Sequence, residues 1–154
     1  MSISIPKDLI PCCRKAGVIV IFGYAKTGKI KIARRLSELL DNRRVIVSDD
    51  YRDKGFEGAL YAMIKNANEL VSQGVPLIIE GVQTARMLRK GFKVDLVIRT
   101  VCNWRTIRRC YIIDGEVNKL PKIPGFNRGL EKIFREYLRL NKKTPIYEIN
   151  TSFL

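Results

Sequence analysis

Gly23-Tyr24-Ala25-Lys26-Thr27-Gly28-Lys29 is the stretch on which the reading of this chain turns, because it fits the spacing G-x-x-x-x-G-K and has the right flanks. Before it runs Gly17 to Phe22 (GVIVIF), a β-branched segment bounded by glycines, as in a strand buried on both faces. After it, Ile32, Ala33, Leu36, Leu39 and Leu40 recur at helical spacing until Asp41-Asn42 interrupts the pattern. Strand, glycine-rich loop and helix in that order make a cradle for phosphate. The glycines let backbone N–H groups turn inward, the helix amino terminus contributes its dipole, and a lysine neutralises the β and γ oxygens. Lys29 is that lysine, and Gly23, Tyr24, Ala25, Lys26, Thr27, Gly28, Lys29, Ile30 and Lys31 are the expected contacts to ATP or another nucleoside triphosphate with Mg²⁺.

The position after the lysine ordinarily carries Ser or Thr, whose hydroxyl holds Mg²⁺, and here it is Ile30. Three readings stand. The metal is held through water and carboxylates elsewhere, Thr27 substitutes from within the loop, or the site binds nucleotide without turning it over.

Working outward, Val45 to Val47 reads as a second strand ending in Ser48-Asp49-Asp50. Leu60, Met63, Ile64, Ala67, Leu70 and Val71 mark a helix stopped by Gly74, and Pro76 to Ile79 a third strand. A short helix around Thr84 to Lys90 precedes a fourth strand, Val94 to Ile98. Trp104, Ile107, Cys110 and Tyr111 give an amphipathic stretch, and Gly115 to Gly129 reads as loop. Leu130, Ile133, Phe134, Tyr137 and Leu138 define a last helix, and Pro145 to Ile149 a closing strand. Such alternation predicts one α/β domain over residues 1–154, a mostly parallel five-stranded sheet with helices on both faces. Residues 1–16 are expected as a leader and 101–129 as a lid region.

Carboxylates and arginines are placed to serve the loop. Asp49 follows the second strand on the rim where ligands of parallel sheets bind, and is the first choice to orient an acceptor hydroxyl and take its proton. Asp50 is the alternative base and, with Glu80 at the end of Leu77-Ile78-Ile79-Glu80, a candidate for Mg²⁺ or its water shell. Arg105, Arg108 and Arg109 share one helix face, where like charges repel unless an anion sits there; they are the expected clamp on the transferring group. Asn150 and Thr151, just past the last strand, are placed to border the adenine.

Composition narrows the class. The chain of 154 residues is 46% hydrophobic and 29% charged, outside the regime of disordered chains. Its apolar runs are far shorter than the roughly 20 residues that cross a bilayer. The amino terminus lacks the basic-then-apolar order of a secretory signal, so cytoplasm is the expected compartment and no membrane partner is expected. Cys12, Cys13, Cys102 and Cys110 have no CxxC spacing and the chain has no histidine, so they read as reduced, buried thiols rather than zinc ligands. A net charge of +14 makes nucleic acid a partner to consider, beside the plainer reading of a solvated basic surface. Oligomeric state is not specified.

From Val18 to Asn150 the chain resembles the P-loop nucleoside and polynucleotide kinases. LIIEG (Leu77 to Gly81), VDLVIRT (Val94 to Thr100) and RTIRR (Arg105 to Arg109) are similar to the uridine kinase and phosphoribulokinase group, which implies a small hydroxylated substrate. Asp49-Asp50-Tyr51-Arg52 resembles the DDYR motif of phage-type polynucleotide kinases, which implies Asp49 as the base on a 5′-hydroxyl, with Tyr51 and Arg52 on the substrate side. The chain departs from these patterns at Ile30, and at Ile113 where the uridine kinase lid continues with arginine.

The expected activity is ATP-dependent transfer of the γ-phosphoryl group to a hydroxyl of a nucleoside, nucleotide or polynucleotide 5′ end. The competing expectation is a degenerate domain that binds nucleotide or nucleic acid without transfer; a nucleotide hydrolase is a third.

Overall fold

The computed structural model describes residues 4–152. At its centre lies β1 (Val18–Phe22), whose five residues are all buried. Alternation along the strand sends Val18, Val20 and Phe22 to one face of the sheet and Ile19 and Ile21 to the other. Both faces are therefore covered, as the uninterrupted apolar run requires. Around β1 are β2 (Arg44–Val47), β3 (Leu77–Glu80), β4 (Leu96–Val101) and β5 (Ile146–Asn150), all parallel, in the order β2-β3-β1-β4-β5.

On one face sit α1 (Leu9–Lys15) and α2 (Lys29–Leu39), whose Leu9, Cys13, Ile32, Ala33 and Leu36 pack on Ile19, Ile21 and Ile78. On the other sit α3 (Gly55–Ser72), α4 (Thr84–Arg89) and α6 (Ile123–Leu140), with Leu60, Met63, Met87, Leu130 and Phe134 against Val20, Phe22 and Ile79. Phe22 stacks on Phe134 at 4.5 Å between ring centroids. Helix α5 (Trp104–Ile113) follows β4, capped by Asn103, whose side chain accepts the Thr106 N–H at 2.8 Å.

The register aligns the carboxyl ends. Ile21 lies beside Glu80, and Glu80 beside Val47, so the glycine loop, Glu80 and the Ser48-Asp49 corner emerge on one rim. Helix α2 leaves β1 over one face and α4 leaves β3 over the other. Between them the crevice of a doubly wound sheet opens at this rim.

Three expectations are corrected. The stretch expected as a leader carries α1 and buries Leu9 and Cys13; residues 1–3 of it lie outside the described residues. Gly115 to Gly129, expected as loop, forms a 3-10 helix over Val117–Lys122 and then the first turns of α6. Pro124 stands in the first turn of α6, where a missing N–H is harmless, so the helix starts well before its apolar stripe. Of the four thiols only Cys13 is buried; Cys12 is exposed and Cys102 and Cys110 are half-buried. All four are free, and burial pushes the Cys13 thiol up to about 11. None of the described helices is long and apolar enough to cross a membrane.

Candidate functional site

The loop between β1 and α2 is shaped by its neighbours. A Cβ on Gly23 would lie 1.8 Å from the Thr100 hydroxyl oxygen of β4, so only glycine fits the first position. Gly28 takes φ 78° and Lys26 φ 65°, the left-handed turns that carry the backbone around a concavity. Thr27 is buried; its hydroxyl donates to the Tyr24 carbonyl at 2.6 Å and sits 2.8 Å from the Thr100 hydroxyl. That hydroxyl braces the loop from behind, which leaves Thr27 poorly placed to replace the hydroxyl missing at Ile30.

Lys29 opens α2, is buried, and donates to the Tyr24 carbonyl at 2.6 Å. Burial pulls its ammonium down to about 8, against the opposing charges of Glu80 and Asp49. Burial likewise raises the Glu80 carboxyl, Lys29 lowers it, and Asp49 and Asp50 push it up further. Lys29 and Glu80 both line a cleft of about 510 Å³. Ala25 to Ile30 form one wall, Ser48, Asp49, Arg52, Glu80, Gly81 and Val82 the second, and Tyr111, Glu116, Lys119 and Phe126 the roof. Gly81 is required there: its φ is +123° and a Cβ would lie 1.7 Å from the Ser48 hydroxyl oxygen.

The roof is tied to the loop. Lys26 Nζ contacts Asp114 at 2.5 Å and Glu116 at 2.6 Å, and Glu116 also pairs with Lys119. Lys119 and Lys26 together hold the Glu116 carboxyl down at about 2. For Lys26, burial works against the charge, but the hydrogen bonds to Asp114 and Glu116 outweigh it and raise the ammonium. On the far side, Tyr24 donates its hydroxyl to Glu131 of α6 at 2.8 Å, and Glu131 in turn takes Arg99 of β4.

Of the residues singled out in the sequence, Ala25, Lys26, Thr27, Gly28, Lys29, Ile30, Asp49, Arg52 and Glu80 meet in this cleft. Arg52 donates to Asp49 at 2.9 Å. Tyr51 turns the other way, its hydroxyl accepting from Asn66 at 2.7 Å and its ring packing on the core. Asp50 and Lys31 are exposed and do not line the cleft. Arg105, Arg108 and Arg109 are exposed on α5 and do not line it either; the cation that the roof supplies is Lys119. Asn150 is the last residue of β5, an exposed side chain that accepts the Ser152 N–H at 2.9 Å. Thr151 is buried, its N–H donating to the Val101 carbonyl at 2.8 Å.

Sequence reading missed Lys119, Glu116, Thr100 and the Arg99–Glu131–Tyr24 bracket. An acid and a base at i, i+3 signalled the Glu116–Lys119 pair, whereas nothing local signals a partner 32 positions away for Arg99.

A triphosphate fits the donor set, since the cradle presents backbone N–H groups and a buried lysine. A directly coordinated Mg²⁺ fits less well. Ile30 offers carbon at the usual position, and among the described residues no group of three or more acidic, thiol or imidazole side chains could hold a metal ion.

No protein-family model matches the chain, and no curated protein matches its sequence. Solved structures do. The chain is similar to shikimate kinase from Acinetobacter baumannii in complex with shikimate, at a TM-score of 0.53 and 18% identity, over 93% of this chain and 88% of that one. The fold is that of the P-loop kinases. A shikimate kinase from Bacteroides thetaiotaomicron (TM-score 0.44, 14% identity, 86% of each chain) and a thymidylate kinase from Ehrlichia chaffeensis (TM-score 0.46, 14% identity, 89% of each chain) are weaker likenesses.

Proposed function

We propose that the protein is an ATP-dependent phosphotransferase acting on a hydroxyl of a small molecule, with nucleosides and nucleotides as the first class to try. One observation carries the reading: a glycine cradle with a buried lysine shares a single cleft with the carboxylates of Asp49 and Glu80. ATP bound there supplies the phosphoryl group. The backbone amides of residues 25–30 and Lys29 hold its charge, and Lys119 meets it from the roof. Asp49, steered by Arg52, orients the acceptor hydroxyl and takes its proton. Glu80 balances Lys29 and orders water around the phosphates. The pairing of Asp49 with Arg52 supports the likeness to the DDYR motif, and the cleft's place after β3 supports the likeness to uridine kinases.

A polynucleotide end remains a candidate acceptor because the net charge of +14 draws polyanions, and the expected compartment is the cytoplasm. Ile30 favours a second reading, a domain that binds nucleotide without transfer. Labelled ATP with Mg²⁺, offered to nucleosides, nucleotides, shikimate and 5′-hydroxyl oligonucleotides, tests the first reading. Transfer to one class that disappears in Lys29→Ala and Asp49→Asn supports it; tight ATP binding with no transfer to any class supports the second.

A further inference from the structure

Beyond Val82 and Phe126, which line the phosphate cleft, a second cavity of about 370 Å³ opens between α3, α4 and α6. That volume suits a group of mononucleotide size. Its lining is mostly apolar, with Phe56 of α3 and Leu130 and Ile133 of α6 contributing.

Two features of the lining are not explained by the fold. The first is glycine: Gly125 and Gly129 stand at i, i+4 on the cavity side of α6, where each is unfavourable for the helix relative to alanine. Neither has a packing reason, because a Cβ on Gly129 would meet nothing within 4 Å and one on Gly125 only Arg128 at 3.6 Å. The bare helix surface forms a flat floor. The second is charge. Arg86, Arg89 and Lys132 line the cavity against Glu136 alone. Arg86 is held over the Phe56 ring at 3.9 Å, with Glu57, Gln83 and the Phe56 carbonyl as partners. Arg89 and Lys132 are exposed, with no ion pair among the described residues.

We infer that this second cavity is the acceptor site, and that it takes a small ring-bearing molecule with an anionic group. The ring lies on the floor of Gly125 and Gly129 against Phe56 and Phe126, and the phosphate or carboxylate meets Arg89 and Lys132. The hydroxyl end points past Val82 toward Asp49. This rests on the kinase reading for its chemistry, while the binding itself does not.

Calorimetric titration of the full chain without ATP tests it, using AMP, GMP, CMP, UMP and dTMP, the matching nucleosides, and shikimate. At least one charged ring is expected to bind ten-fold or more tighter than the uncharged nucleosides, and the arm that binds tells phosphate from carboxylate. Gly129→Leu fills the floor from an open helical position, so it should keep or raise the melting temperature and keep ATP affinity while weakening the charged ring ten-fold or more. Arg89→Ala should weaken it similarly and leave ATP binding alone. Failure of every charged ring to bind, equal binding of charged and uncharged rings, or unaltered binding in Gly129→Leu overturns the inference. A charged ring that binds as described to a protein with no affinity for ATP sinks the kinase reading and leaves this site standing.

Discussion

Lys29 is a buried cation, and among the described residues Glu80 is the one carboxylate that is buried with it, which has two pH consequences. In the nucleotide-free protein its ammonium sits at about 8, well below the 10.5 of a free lysine. Below pH 8 both folded and unfolded chains carry this proton, and the cost of the buried charge is fully present. Between about pH 8 and 10.5 the unfolded chain holds more protons, so stability from this group rises with pH, by about 3 kcal/mol across the window. Cys13, raised to about 11, contributes the opposite slope, so the quantity to measure is the difference between wild type and Lys29→Met in denaturant titrations from pH 7 to 11. A difference that does not change with pH contradicts the burial of a charged Lys29. The second consequence is functional: a polyphosphate restores the proton, so triphosphate affinity should fall as pH rises above 8, by up to about ten-fold per unit. Calorimetry at pH 8.5 in buffers of different ionisation enthalpy should register proton uptake on binding.

Elements meet the loop through side chains that tolerate no intrusion. Gly23→Ala drives a methyl into Thr100 and should cost about 1–3 kcal/mol; removing the hydroxyl in Gly23→Ala/Thr100→Ala should recover part of it, as read from melting curves. The tie between Lys26 and the segment that follows α5 is an element-scale device as well. Breaking it in Asp114→Asn/Glu116→Gln should expose residues 114–122 to limited proteolysis in the nucleotide-free protein, several-fold faster than in wild type. Equal cleavage rates would show that the ion pairs do not hold this segment. The strands were legible because β1 and β3 are short apolar runs ended by glycine and glutamate, with no competing helical period. The opening of α6 was not. Gly125 and Gly129 suppress the helical signal, and the cavity beside them removes the apolar stripe that marks a packed face.

At the scale of the molecule, a parallel sheet in the order β2-β3-β1-β4-β5 collects loops distant in sequence onto one rim, and the candidate site is made by that collection. Sequence reading reached the residues at strand ends, Asp49 and Glu80, because strand polarity alone places them. It reached too far on α5: the shared face of Arg105, Arg108 and Arg109 is real, but helix phase turns it to solvent while Ile107 and Tyr111 face in. Lys119 was not found, since its place over the cleft depends on the tertiary docking of the segment after α5. Replacing Ile30 with Thr restores a hydroxyl at the mouth of the cradle, and any Mg²⁺-dependent transfer should then rise ten-fold or more. An unchanged rate would show that metal placement is not limiting. If the backbone amides between β1 and α2 grip a polyphosphate, their resonances move when it binds. Titration of ¹⁵N-labelled protein with ATP measures this directly. Saturable shifts of the residue 25–30 amides are expected, with Lys29→Ala abolishing them; no shifts, or shifts confined to another surface, would contradict a phosphate grip by this loop.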